Sequence, residues 1–337
     1  MNSLFTRTCG LLVAMAAALS LLVVASCGGG SSSSGNPTTY ASVAMAGELI
    51  DYTLDPTALT YSYTIVESQF GLTGKTGSGT LTRNADGTYT PSGVPNARIA
   101  ILPNGLLLGA VRENVGAGVV TIPIIGLANP VTTGAAMNGA YNYLHRGCLQ
   151  PVCATDTGTF VITASASSVT WTSCTAANLA AGACPAGDRS GTMTHLGGGR
   201  WRVNENGAAL PVGTAIAFVS AGQNVLLIDL KDPRPGGLGI GMVVGAQQAT
   251  MTAAQTDGTW IAATSLGHWA VFDTSGTNIT VTRVDGFPVN VPGTFTMNTP
   301  WTGMATTNGG GVGFLAGSGV YVLETGSGHA ELGIKIR

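Results

Sequence analysis

One pattern occurs three times along this 337-residue chain, and it limits the fold more than any other feature. Its copies are "GELIDYTLDPTALTYS" from Gly47, "GTFVITASASSVTWT" from Gly158 and "GHWAVFDTSGTNITVT" from Gly267. Each is a glycine, an apolar strand, a small polar turn and an apolar–threonine alternation. A second element follows. Ser78-Gly79-Thr80-Leu81-Thr82 and Gly87-Thr88-Tyr89 match Ser190-Gly191-Thr192-Met193-Thr194 and Gly199-Arg200-Trp201 at a constant offset of 112 residues. The third copy is looser, with Ile279-Thr280-Val281-Thr282 leading to Gly293-Thr294-Phe295. A third element is a two-strand apolar hairpin: "ARIAILPNGLLLGAV", "TAIAFVSAGQNVLLIDL" and "GVGFLAGSGVYVLETG". A polar loop and a closing strand come after each. Two copies also open alike, with Asn138-Gly139-Ala140-Tyr141 and Asp257-Gly258-Thr259-Trp260.

Each copy reads as six to eight short strands, because side chains alternate with period two between Gly, Asn and Asp turns. No amphipathic helix stands out; "CTAANLAAGAC" between Cys174 and Cys184 is the one helical-looking patch. Sequential hairpins make antiparallel meanders. Strands with one apolar face must close or pack on a second sheet. The expected fold is therefore all-β, with antiparallel meanders in about three tandem repeats forming small barrels or sandwiches. A six-bladed propeller with two blades per copy is the alternative. Repeat bounds are expected at 40–135, 136–252 (with the cysteine-containing loops) and 253–337. Gly258-Thr259-Trp260 resembles the first strand of lipocalin and avidin-like barrels.

The first 27 residues read as an export signal: Arg7 gives a positive start, and Leu11 to Ala25 is apolar except for Ser20. That run is shorter than the roughly 20 residues a membrane span needs. It ends in Val24-Ala25-Ser26-Cys27, which resembles the lipobox of bacterial lipoproteins. The resemblance implies a signal peptide over 1–26, diacylglyceryl transfer to the Cys27 thiol, cleavage before it and acylation of the new amine. The partner so implied is a lipid bilayer. Gly28 stands where Asp retains family members at the inner membrane, so the expected location is the outer membrane of the cell envelope. Gly28 to Gly35 is pure Gly and Ser, so residues 27–39 are expected to form a flexible lipidated tether.

Charged residues make up only 9% of the chain and the net charge is −2, against about 25% charged in an average soluble domain. With no run of Lys or Arg, nothing suggests a nucleic-acid partner. High hydrophobicity with low charge argues against disorder. Beyond Cys27, an exported chain would carry Cys148, Cys153, Cys174 and Cys184 as two disulfides. Local closure, Cys148 with Cys153 and Cys174 with Cys184, is the favoured pairing. The spacings are long for zinc, and neither a metal nor a cofactor is expected.

Several motifs suggest chemistry. Asp273-Thr274-Ser275-Gly276 and Asp156-Thr157-Gly158-Thr159 are similar to aspartic-protease turns, whose chemistry needs two carboxylates sharing a proton. The repeat instead places Asp273 to Gly276 at a hairpin turn. His145, His195, His268 and His329 lie in no nucleophile or metal motif and are expected at the surface or at strand ends. Trp171, Trp201 and Trp260 sit at positions aromatic in other copies, so they are expected in the core. Scarce charges gather before each closing strand: Arg112 and Glu113; Lys231, Asp232 and Arg234; Glu324, His329 and Glu331. They form a candidate binding rim, or a solvated edge that limits aggregation. The functional expectation is a membrane-anchored, non-enzymatic scaffold or binding module of the envelope. A β-fold hydrolase acting on a glycan or peptide, and a surface adhesin, are the alternatives.

Overall fold

The computed structural model describes residues 37–94, 97–114, 119–149, 152–165, 168–178, 188–234, 237–325 and 329–337. The expected signal segment, Cys27, the Gly/Ser run and Cys184 lie outside the described residues, while Thr38 and Thr39, at the end of the expected tether, already belong to the first strand. Three eight-stranded antiparallel sheets follow one another along the chain, and the propeller alternative is excluded.

The first sheet runs β1 (Thr38–Ala44), β2 (Glu48–Asp55), β3 (Thr60–Ser68), β4 (Thr76–Arg83), β5 (Tyr89–Pro91), β6 (Ala100–Ile101), β7 (Leu106–Asn114) and β8 (Val119–Leu127). β1 pairs with β8, and one bridge between Tyr89 and Ile99 nearly joins the other two edges. The second comprises β9 (Gly139–Leu149), β10 (Val152–Ala164), β11 (Val169–Thr175), β12 (Arg189–Gly197), β13 (Arg200–Glu205), β14 (Gly213–Ser220), β15 (Gln223–Asp232) and β16 (Gly239–Gln247). The third comprises β17 (Gly258–Thr264), β18 (Trp269–Ser275), β19 (Asn278–Val284), β20 (Phe287–Met297), β21 (Ala305–Thr307), β22 (Val312–Leu315), β23 (Val320–Glu324) and β24 (Ala330–Lys335). Both of these are closed barrels in which each strand pairs with the next and the last with the first. Closure satisfies every edge, which a chain so poor in charge needs more than most.

The matched openings have one physical role. A single turn of helix, Gly134–Met137 or Ala253–Thr256, precedes β9 and β17. The Tyr141 hydroxyl donates to the Met137 carbonyl at 2.6 Å, and the Trp260 indole N–H donates to the Thr256 carbonyl at 3.0 Å. Each aromatic thus seals one end of its barrel. Gly139 and Gly258 adopt φ of +146° and +145°, a region that disfavours any side chain.

Burial explains why the alternation is clear in one half of each repeat and lost in the other. The interiors of the three barrels hold separate apolar clusters. A fourth cluster lies outside all of them, built from all three outer walls. In β15, Leu226, Ile228 and Leu230 point into the barrel, while Val225 and Leu227 point into the shared core. Such strands are buried on both faces and read as continuous apolar runs. The arrangement is cyclic. β1 packs on β15, β9 on β23, and β24 on β7, so each barrel sets its first or last strand against the seventh strand of the next. The three apolar hairpins meet tip to tip: Ser220 donates to the Ser318 carbonyl at 2.7 Å, and the Asn104 amide bonds the Ser220 hydroxyl. Polar pins surround this junction, among them Arg200 to Asp51 at 2.6 Å and Trp301 to Asn142 at 2.8 Å.

Candidate ligand cavity in the middle barrel

An eight-stranded barrel is just wide enough for side chains to fill it or for one small ligand to enter. Aromatic rings occupy the interiors of the outer two barrels. In the first, Tyr52 stacks between Tyr61 and Tyr63 at ring distances of 5.7 and 6.2 Å. In the third, Trp260, Phe272 and Tyr321 meet at 5.0 to 6.3 Å. Two of the expected rim residues, Glu113 on β7 and Glu331 on β24, are drawn into these interiors instead. Glu113, 2% exposed, accepts the Tyr63 hydroxyl at 2.6 Å and the Lys75 ammonium. Glu331 accepts the Tyr321 hydroxyl at 2.6 Å, and burial raises the pKa of both groups.

The middle barrel differs. It keeps an open-ended cavity of about 250 Å³ lined from almost every strand. The floor is Phe160, stacked on Tyr141 at 4.8 Å. Gly245 makes room for that ring, since a Cβ there would lie 2.9 Å from it. Trp171, Met193, Val203, Ile228 and Val243 form the walls, with Tyr143, Ser173 and Thr175 nearer the mouth. Burial pushes the Tyr143 phenol well up, so it remains a neutral hydroxyl, 3.3 Å from the Thr175 hydroxyl.

The cup is deep because one hairpin is long. β9 and β10 have 11 and 13 residues, against 7 and 8 for β1 and β2 and 7 each for β17 and β18. The extension is closed by a disulfide between Cys148 and Cys153, as local pairing predicts. Cys174 is also disulfide-bonded.

A chain of hydrogen bonds runs around the mouth. His145 Nδ1 lies 2.9 Å from Asp156 Oδ2, and its Nε2 lies 2.8 Å from the Leu238 carbonyl oxygen. The Leu238 N–H donates to Asp232 at 2.9 Å, and Arg234 donates to Asp232 and to Glu205. Arg189 reaches the other oxygen of Glu205 at 2.7 Å. Since carboxylates and carbonyls only accept, His145 makes both of its bonds when each ring nitrogen carries a proton.

This placement revises the reading of His145, which is not a surface residue but lines the cavity with its side chain 12% exposed. Asp156 lies within β10, not on a turn, and it is in a different barrel from Asp273, so the two do not share a proton. Asp273 lies in β18, paired with Thr259 and Thr280, and of the expected turn Asp273 to Gly276 only Gly276 leaves the strand, with φ of +61°. Of the eight residues of the candidate rim, Asp232 and Arg234 reach the mouth, and Glu324 has its pKa raised by burial and then by nearby Asp156. Lys231 instead pairs with Glu67 of the first barrel. Arg112 is exposed, with a contact to the Gly93 carbonyl. The His329 carbonyl accepts the Thr325 N–H at 2.9 Å. Trp171, Trp201 and Trp260 are buried as expected. The remaining histidines, His195 and His268, are exposed; the His195 ring is tilted against Trp201 with centres 4.5 Å apart.

Ser173, His145 and Asp156 line one cavity, the residue types of a nucleophilic triad. Their hydrogen bonds point elsewhere: Ser173 donates to Asp188 at 3.3 Å, and the Nε2 that would receive a serine proton faces Leu238. No cluster of three or more His, Cys, Asp or Glu able to hold a metal occurs among the described residues.

No family model matches the chain, and no curated protein matches it. One similar solved structure is a protein of unknown function of the DUF3598 family from Nostoc punctiforme, at 12% identity, over 63% of this chain and 94% of that one, with a TM-score of 0.24. A likeness at that score carries no argument about fold or function.

Proposed function

We propose that this protein is a non-enzymatic binding module of the cell envelope, tethered by lipid on Cys27, whose middle barrel receives a small ligand. One observation carries the binding half of the reading. Three barrels share one plan, two are filled with rings, and the third keeps a cavity with a polar rim. Apolar cavities with a few convergent polar groups are where small ligands bind. The lipobox-like Val24-Ala25-Ser26-Cys27 and the Gly/Ser stretch after it support the anchored half. One acyl chain gives marginal membrane binding and more than one gives a stable anchor. The Gly at position 28 favours the outer membrane.

The test is metabolic labelling with an alkynyl palmitate analogue. Wild type incorporates label and sediments with membranes, whereas Cys27→Ser loses both. Equal labelling of the variant contradicts the anchor. The hydrolase reading has one observation in its favour, the shared cavity of Ser173, His145 and Asp156. A fluorophosphonate probe separates the two: the binding-module reading predicts no adduct on Ser173, and an adduct abolished by Ser173→Ala supports the hydrolase.

A further inference from the structure

We propose that the cavity of the middle barrel takes a neutral molecule of one or two rings, apolar at its inner end and bearing at most a hydroxyl or carbonyl at its outer end. This rests on the binding-module reading and names the ligand class. Three features of the site carry it.

The first is size. An apolar cavity of about 150 Å³ accommodates benzene, and pockets for drug-sized ligands begin at about 300 Å³. At about 250 Å³ this cup falls between them. The second is depth. Phe160 and Tyr141 stack across the barrel, and Met137 and Trp201 are packed in the same interior cluster. A long acyl chain therefore meets a floor and must leave most of its length in water. The third is charge. Both arginines at the mouth are already paired with carboxylates, Arg189 with Glu205 and Arg234 with Asp232 and Glu205, while Asp156 is hydrogen-bonded to His145, and Asp188 to Ser173 and Thr175. A carboxylate ligand has to displace Glu205 from Arg189, and a cation has to disturb the hydrogen bonds that hold Asp156 to His145 or Asp188 to Ser173 and Thr175. The uncharged hydroxyls of Tyr143, Ser173 and Thr175 stand just inside that ring of pairs, within reach of a neutral polar head. A hydrogen bond there costs no ion pair, whereas breaking a charged one costs at least about tenfold in affinity.

The experiment uses the detergent-solubilised full chain with methyl-13C methionine. The Met193 methyl lines the cavity wall and is assigned by Met193→Leu, a volume-conserving change. The probes are 1-naphthol, 1-naphthoate and decanoate. The expected result is 1:1 binding of 1-naphthol, a ring-current shift of the Met193 methyl, and at least about tenfold weaker binding of the two carboxylates. Val243→Trp, which fills the wall, abolishes binding while far-UV circular dichroism stays that of wild type. Should the variant misfold, the Met193 shift in wild type decides alone. Equal or tighter binding of 1-naphthoate or decanoate at Met193 overturns the ligand class and leaves the binding module standing. No shift at Met193 with any probe overturns both.

Discussion

Asp229 lies on the outward face of β15 against the first barrel, 1% exposed, and its Oδ1 has no hydrogen-bond partner among the described residues. Lys231 Nζ stands 3.9 Å from its other oxygen but is also engaged by Glu67. Burial, then repulsion from Glu48, raises the Asp229 pKa well above the usual carboxylate range, and burial pushes Lys231 down to about 8. Between the unfolded value near 4 and the raised folded value, the native state holds the extra proton, so stability falls as pH rises. Asp229→Asn should therefore stabilise the protein at pH 8 by about 1–3 kcal/mol, because the amide needs neither the buried charge nor the extra proton. The gain should shrink as pH falls towards 4. Thermal melts across that range check it, and a gain independent of pH contradicts the assignment. Single residues also limit what the sequence discloses. His145 and Asp156 sit 11 apart, in the stretch between the Asn138–Tyr141 opening and Gly158 that the repeat does not align. Their meeting depends on hairpin register, which no local motif encodes; the available signal was two ionisable residues on the inward phase of Tyr141-Tyr143-His145 and Asp156-Gly158-Phe160.

The β9–β10 hairpin shows why the element scale was only partly legible. The repeat aligned Gly158 with Gly47 and Gly267, which are turn glycines with φ of +88° and +83°. In the structure Gly158 lies within β10 opposite Tyr143, and the strand begins at Val152. Extra strand residues preserve period two, so an extended hairpin and a polar loop look alike in sequence. Three tandem all-β units with turn-bounded strands were readable because glycine and alternation mark turns and faces directly. The disulfide at the tip closes a loop of only about six residues, worth about 2 kcal/mol or less by chain entropy. Replacing Cys148 and Cys153 by Ser should leave the global melt within a few degrees of wild type. Amide exchange should quicken at residues 145–149 and 152–156, and 1-naphthol binding should weaken severalfold as the rim around His145 loosens. Unchanged exchange there contradicts the view that the tip holds the rim.

At the scale of the molecule, the shared core makes three barrels one body. Leu227, Phe218, Leu108, Phe314 and Leu332 belong to one cluster drawn from all three sheets. The sequence carried the evidence in continuous runs such as "NVLLIDL", but which surfaces those runs cover is a tertiary fact, decided by where the barrels meet. Leu227→Ala should cost about 2–5 kcal/mol and lower a single calorimetric transition. Separate transitions for the barrels contradict a common core. The functional claim is that three barrels of one plan differ in whether room is left inside. Xenon enters dry apolar cavities large enough for it, so a crystal under xenon pressure reads that difference directly. The prediction is xenon among Phe160, Trp171 and Met193 of the middle barrel, with the tyrosine-filled and tryptophan-filled interiors empty. Xenon in either outer barrel, or none beside Phe160, contradicts it.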